Sequence, residues 1–242
     1  MTPQELVSAA APKIGSLGAK FYFHPDTVAT GKANNLDGFR FYFLGRGGVL
    51  GDVEPSVVQS AFGYFDGALV DKIWSSAKER MEPRAAARLY LQCNAELARK
   101  TIADVPDLEA FCTAAEKIVA AAEPSGLALF AGIAAEPLPE DAPARALQLV
   151  AVLRELRGSA HLVAVVANGL APAVAHAIKR PDDVKTFGYV DMPPIADADR
   201  AKLDAAEAMT DAIVLPAFSA VSAEEADLMV KVLEAMQARL GA

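Results

Sequence analysis

The chain has 242 residues, 53% of them hydrophobic but only 7% aromatic, and a formal net charge of −8 at pH 7. That length is long for one domain and comfortable for two, and a core built from Ala, Leu and Val points to packed helices. The acidic excess works against a grip on nucleic acid, which takes several Lys or Arg on phosphates. Cys93 and Cys112, nineteen residues apart with no CxxC, leave out a zinc knuckle and a disulfide framework and read as small buried hydrophobes.

Thr2-Pro3-Gln4-Glu5 is a capping box with proline at the first helical position, and the helix it opens is expected to stop near Gly15 and Gly18. The stretch MTPQELVSAA has no basic n-region or long apolar run, so no signal peptide is expected. Phe21-Tyr22-Phe23-His24-Pro25-Asp26 is an aromatic run ended by proline, with Asp26 the expected cap of a helix ending near Gly31. His24 is a candidate ligand or acid–base group, although a histidine before proline reads first as a turn residue.

In 36–46 (LDGFRFYFLGR), Phe39, Tyr42, Phe43 and Arg46 fall at i, i+3, i+4 and i+7, an aromatic stripe closed by a cation. The plainer reading is a core helix with Arg46 snorkelling. The functional one is a pocket wall in which Tyr42 donates a hydrogen bond and Arg46 holds an anion. Gly45, Gly47, Gly48 and Gly51 are expected to break that helix, and they do not form a phosphate-binding GxxxxGK[ST] loop. Further helices are expected from Pro55 through Tyr64, over 67–77 around Trp74, over 83–103 and over 107–122. Pro124-Ser125-Gly126 and the proline-rich PLPEDAP mark 124–141 as a linker between domains 1–123 and 142–242.

The second half is organised around 145–170 (RALQLVAVLRELRGSAHLVAVVANGL). Leu149, Val152, Leu153 and Leu156 form one buried helical face. Arg154, Arg157 and His161 share a second stripe with Leu147 and Val150, so one face begins apolar and turns cationic. Gly158 is a potential break before His161. The plainer reading is a solvated arginine pair, with Glu155 beside Arg154 as a surface ion pair, and a satisfied core histidine. The functional reading is the wall of a pocket. The window 161–178 is the most membrane-like, but Asn168, Gly169, Pro172 and His176 interrupt it, so a cytoplasmic protein without a membrane partner is expected. A short helix over 170–178, a polar stretch over 179–194, a long helix over 197–214 ended at Pro216, and a last helix opened by the capping box Ser222-Ala223-Glu224-Glu225 complete the chain.

The halves echo each other. ELARKTIADVPDLEAFCTAAEKIVAAAE aligns loosely with EAMTDAIVLPAFSAVSAEEADLMVKVLEAMQARL, which implies a pseudo-twofold arrangement, an internalised homodimer. FRFYFLGRGGVLGDVEPSVVQSAFGYF, LFAGIAAEPLPEDAPARALQLVAVLRELRGSAHLVAVVANGL and DRAKLDAAEAMTDAIVLPAFSAV resemble the SalK-like actinobacterial family, whose members are described as helix-turn-helix proteins. The resemblance covers most of the chain and implies a mostly α tandem winged helix, similar to MarR-type regulators, with at most short wing strands. It implies no activity. Where the family reads His-Arg-Gly-Asp-Gly-His, this chain has Leu156-Arg157-Gly158-Ser159-Ala160-His161, so the first His and the Asp are absent. The stretch 179–195 is shorter than the family's and, in a MarR-like arrangement, would carry recognition-helix and wing material.

There is no GxSxG serine, HExxH or DxDxDG loop. His24, His161 and His176 are candidates to converge on a metal, but chance spacing is the plainer account and no metal site is assigned. Three function classes follow. The first is a small-molecule-binding protein whose central pocket uses Tyr42, Arg46, Arg157 and His161 on an anionic or aromatic ligand. The second is an enzyme with His161 as acid or base and an arginine stabilising an oxyanion. The third is a DNA-binding regulator, resting on fold analogy. The first is the reading adopted, for a monomeric pseudo-dimer or a homodimer; the sequence names no cofactor.

Overall fold

The computed structural model describes residues 1–192 and 194–241; among these are twelve α-helices and no strand. The mostly helical reading therefore stands. The helices are α1 (Pro3–Leu17), α2 (Pro25–Ala33), α3 (Phe39–Gly47), α4 (Pro55–Phe62), α5 (Gly67–Lys78), α6 (Pro83–Thr101), α7 (Leu108–Ala121), α8 (Ala128–Ala134), α9 (Ala142–Ala167), α10 (Pro172–Lys179), α11 (Asp197–Phe218) and α12 (Ala223–Leu240). Both capping boxes form: Thr2 accepts from the Glu5 amide at 3.3 Å and Ser222 from the Glu225 amide at 3.2 Å, with each glutamate reaching back.

α9 is the axis of the fold. Most of its Ala, Leu and Val residues are buried against α1, α6, α7, α8 and α11, while Val163 and Val166 near its C-terminal end are exposed. Buried over most of its length, α9 is the element the others wrap. Gly158 does not break it: a glycine costs about 1 kcal/mol in a helix, which the burial around it exceeds. Pro216 likewise lies inside the last turn of α11, and the helix runs on to Phe218 although proline has no N–H for the carbonyl four residues back.

The glycine run ends the helix as expected: α3 stops at Gly47 with Gly48 as its cap, and Gly45 inside it sits against α6, where an added Cβ would come within 2.5 Å of the Tyr90 ring. One more local expectation is corrected. The cap of α2 is His24, whose Nδ1 accepts from the Asp26 amide at 3.3 Å, with Pro25 and Asp26 already in the first turn.

The segment 124–141 carries α8, whose Leu129, Phe130 and Ile133 are buried beside α9. One apolar cluster extends from Leu6 to Met236, and α1 packs on α11 and α12. Cys93 and Cys112 are buried and free. Among the described residues no single helix is long and apolar enough to cross a membrane; α9 and α10 pass that test only as a pair, bent by 115°.

Candidate functional site

Where α1, α3 and α4 approach α9, α10 and the stretch 180–187, the packing leaves a cavity of about 610 Å³. That falls in the size range of small-molecule sites, roughly 300–1,000 Å³. One part of the lining is aromatic: Phe23 between α1 and α2, Phe39 and Tyr42 on α3, Phe62 on α4 and Phe65 after it. Phe23 stacks on Tyr42 with centroids 5.3 Å apart, and half of Phe23 is exposed at the rim. Basic side chains, mostly from α9, α10 and the following stretch, line the cavity as well: Arg154, Arg157, Lys179 and Arg180, with His161 beside them. The stripe of Arg154, Arg157 and His161 read from helical spacing faces this space.

All four sequence-derived candidates, Tyr42, Arg46, Arg157 and His161, line this one cavity, and His176 joins them. His24 does not; it borders a separate, shallower depression near Arg239. No group of three or more His, Cys, Asp or Glu placed to hold a metal is found among the described residues. His161 and His176 converge, but His24 is spent as a cap.

Arg46 and Glu155 show what spacing alone cannot. Glu155 is not a surface residue: only 2% of it is exposed. Arg46 holds it bidentately, Nε to Oε1 at 2.9 Å and Nη2 to Oε2 at 2.8 Å, across 109 residues of chain. Tyr22 donates its hydroxyl to the same carboxylate at 2.9 Å, and Arg154 Nη1 reaches both Oε1 and the Tyr22 oxygen, each at 2.9 Å. Tyr42 Oη accepts from Arg46 Nη1 at 3.3 Å, a bond that leaves its own hydroxyl proton available to donate. Burial pushes the Glu155 carboxyl up, but Arg46, Arg154 and the Tyr22 hydroxyl outweigh it and hold the group at about 2. Burial raises the Tyr22 hydroxyl well above its ordinary value, so it stays a donor.

A second network anchors the other end. Arg157 Nη2 donates to Glu207 Oε2 and Asp211 Oδ1 of α11, both at 3.0 Å, and Lys179 also pairs with Glu207. His161 Nδ1 lies 2.9 Å from Thr210 Oγ1, while Thr210 gives its own proton to the Ala206 carbonyl at 2.6 Å. Thr210 must therefore accept from His161, which puts the proton on Nδ1 and a lone pair on Nε2. Burial, with Lys179 and Arg157 adding to it and Glu207 opposing, holds His161 at about 4, so the ring is neutral near pH 7. Nε2 stands 3.8 Å from Glu207 Oε1, too far for a hydrogen bond.

Four residues that line the cavity each hold one fully buried polar atom with no hydrogen-bond partner among the described residues: Tyr64 Oη, Arg157 Nε, Ser159 Oγ and His176 Nε2. Burial raises the Tyr64 hydroxyl and lowers His176, so both are neutral near pH 7. Sequence reading singled out only Arg157 among them as a site residue and named His176 only as a candidate to converge on a metal with His24 and His161. The one signal for Ser159 is its place in the 156–161 block, at the family's Asp. The stretch 179–192 forms no wing among its described residues. Instead Lys179, Arg180, Asp183, Thr186 and Phe187 close one side of the cavity, with Phe187 between Phe65 (4.0 Å) and His176 (3.8 Å).

A family described as a helix-turn-helix family matches residues 7–189. No curated protein and no solved structure matches the chain.

Proposed function

The chain belongs to the helix-turn-helix family, and from that membership we propose that it is a small-molecule-binding member whose central cavity takes an anionic or aromatic ligand. The observation that carries this reading is that one aromatic-lined cavity gathers Tyr42, Arg46, Arg157 and His161, with His161 Nε2 left without a hydrogen-bond partner among the described residues. A polar group left unpaired in an interior costs about 1–3 kcal/mol, which a ligand donor at Nε2 would recover. In this reading Tyr42 and Arg46 form a preorganised wall, Arg157 lies beside the ligand, and His161 offers the lone pair of Nε2.

The same geometry favours one second reading. A neutral His161 whose Nδ1 proton is fixed by Thr210 is set up as a general base at Nε2, with Arg157 placed to stabilise a developing oxyanion. DNA binding is the weaker alternative: the net charge of −8 opposes it.

Within the helix-turn-helix family, we infer kinship with the SalK-like actinobacterial members from the 156–161 block. Ser159, in place of the family's Asp, borders the cavity, while Leu156, in place of its first His, is in the core. We also infer a cytoplasmic protein made of two winged-helix-like halves, 1–123 and 142–242, as a monomeric pseudo-dimer or a homodimer. Native mass spectrometry of freshly purified protein tests the binding function. A discrete small-molecule increment over the denatured chain mass supports it. Equal masses in every preparation, together with no ligand from a screen of aromatic acids, oppose it.

A further inference from the structure

The charges around the cavity balance everywhere but at one point. Arg157 and Lys179 face Glu207 and Asp211, two cations against two carboxylates, and Arg180 faces Asp183. Arg46 and Arg154 share the single carboxylate of Glu155. Arg46 spends Nε and Nη2 on Glu155 and Nη1 on Tyr42. Arg154 is different: only its Nη1 is engaged, so of five guanidinium donors those on Nε and Nη2 have no partner among the described residues. Its side chain is 27% accessible and lines the cavity, with the guanidinium 5.0 Å from the centre of the Tyr22 ring. One positive charge with an open hydrogen-bonding edge is thus fixed in the cavity wall, and the buried Glu155–Tyr22 pair holds it in place.

Distance along α9 then sets the shape of what fits. Arg154 and His161 are seven residues apart on the same face, about 10 Å of helical rise. The aromatic side chains of Phe23, Tyr42 and Phe62 line the same cavity. We propose that Arg154 is the anion seat of the cavity and that the ligand is an elongated aromatic acid of two or more rings. Its anionic group lies on the open edge of Arg154, its rings lie against Phe23, Tyr42 and Phe62, and its far end carries a hydroxyl or similar donor to His161 Nε2. This deepens the binding function proposed above and rests on it.

A matched pair of fluorescent probes separates the two. 8-Anilinonaphthalene-1-sulfonate and N-phenyl-1-naphthylamine share one ring system, and only the first carries an anion. Both are titrated into the full-length protein and into Arg154→Met, Arg154→Lys and Lys72→Met, the last removing an equal charge from the exposed surface. The seat predicts that the wild type binds the sulfonate more tightly than the amine. Arg154→Met is expected to weaken the sulfonate about tenfold to a hundredfold, the scale of a charge-assisted hydrogen bond, and to leave the amine within about twofold. Arg154→Lys should recover most of the sulfonate affinity, and Lys72→Met should change neither probe. Equal loss of both probes in Arg154→Met, or no preference for the sulfonate in the wild type, overturns the seat and leaves the cavity standing. If neither probe binds the wild type, the cavity reading falls with it.

Discussion

Replacing Glu155 with glutamine should destabilise this protein more than any other single removal of a charge. The carboxylate accepts from Arg46 through two bonds, from Tyr22 and from Arg154, and only 2% of Glu155 is exposed. Glutamine keeps the volume but removes the charge and turns one acceptor into a donor facing a guanidinium. Arg46, itself mostly buried, is left without its partner. Breaking a buried ion pair from one side costs about 3–5 kcal/mol, because the remaining charge stays desolvated. Unfolding entropy is about 2.1 cal/mol/K per residue, so 242 residues give about 0.5 kcal/mol/K and a fall in Tm of about 6–10 °C. Differential scanning calorimetry at pH 7 reads this directly. Adding Arg46→Met to Glu155→Gln removes the orphaned charge and should return part of the loss. A fall of less than about 2 °C for Glu155→Gln would show that the network is solvated and would refute the reasoning.

Four more outcomes follow from the geometry and the net charge. Glu155 and Glu207 are held at about 2, below their value of 4.5 in the unfolded chain, so their contribution is full above about pH 4.5 and is lost as pH falls towards 2. His161 is held at about 4, below 6.5, so the unfolded chain takes up its proton first and stability falls as pH drops from 6.5 to 4; urea denaturation at pH 7.5 and 5 should show this fall, and His161→Phe should flatten it. Arg157→Ala should lower affinity for an aromatic acid about ten- to a hundredfold and also lower Tm, whereas lost stability with unchanged affinity would retire Arg157 as a ligand contact. DNA binding is expected to be weak and without sequence preference at about 0.15 M salt, and a nanomolar, sequence-selective shift in an electrophoretic assay would contradict that.

How much of this was legible in the sequence varied with the range of the interaction. Thr2 with Glu5 and Ser222 with Glu225 are contacts within four residues, and both boxes form as their letters suggest. The helical period of 145–170 placed Arg154, Arg157 and His161 on one face, and that face does meet the cavity. The partners of those residues lie far away in sequence, Arg157 with Glu207 and Asp211 on α11, and Arg46 with Glu155, so no local pattern encodes them. Glu155 was misread for that reason: beside Arg154 its local context is that of a surface pair, and only the approach of α3 to α9 buries it. Gly158 and Pro216 misled in the opposite sense, since tertiary burial outweighs a local propensity of about 1 kcal/mol for glycine, and α11 continues two residues past its proline at the loss of one backbone bond. Tyr64 and His176 carry no motif, and only their convergence on one space marks them.

Whether the cavity is a binding site is tested most directly by ligand-dependent melting, with the cavity left open or filled. Gly158 lines it, and an added Cβ there would meet nothing within 4 Å, so Gly158→Phe puts a ring into the opening without forcing the helix apart. Wild-type protein and Gly158→Phe are melted with a panel of two- and three-ring aromatic acids and their uncharged counterparts at 1 mM. An acid with a dissociation constant of about 10 μM adds about 2.7 kcal/mol at that concentration, a rise of roughly 5 °C or more. The account predicts such a rise for some of the acids in the wild type, smaller rises for their uncharged counterparts, and none in Gly158→Phe. No rise with any acid, or rises that persist undiminished in Gly158→Phe, would contradict it.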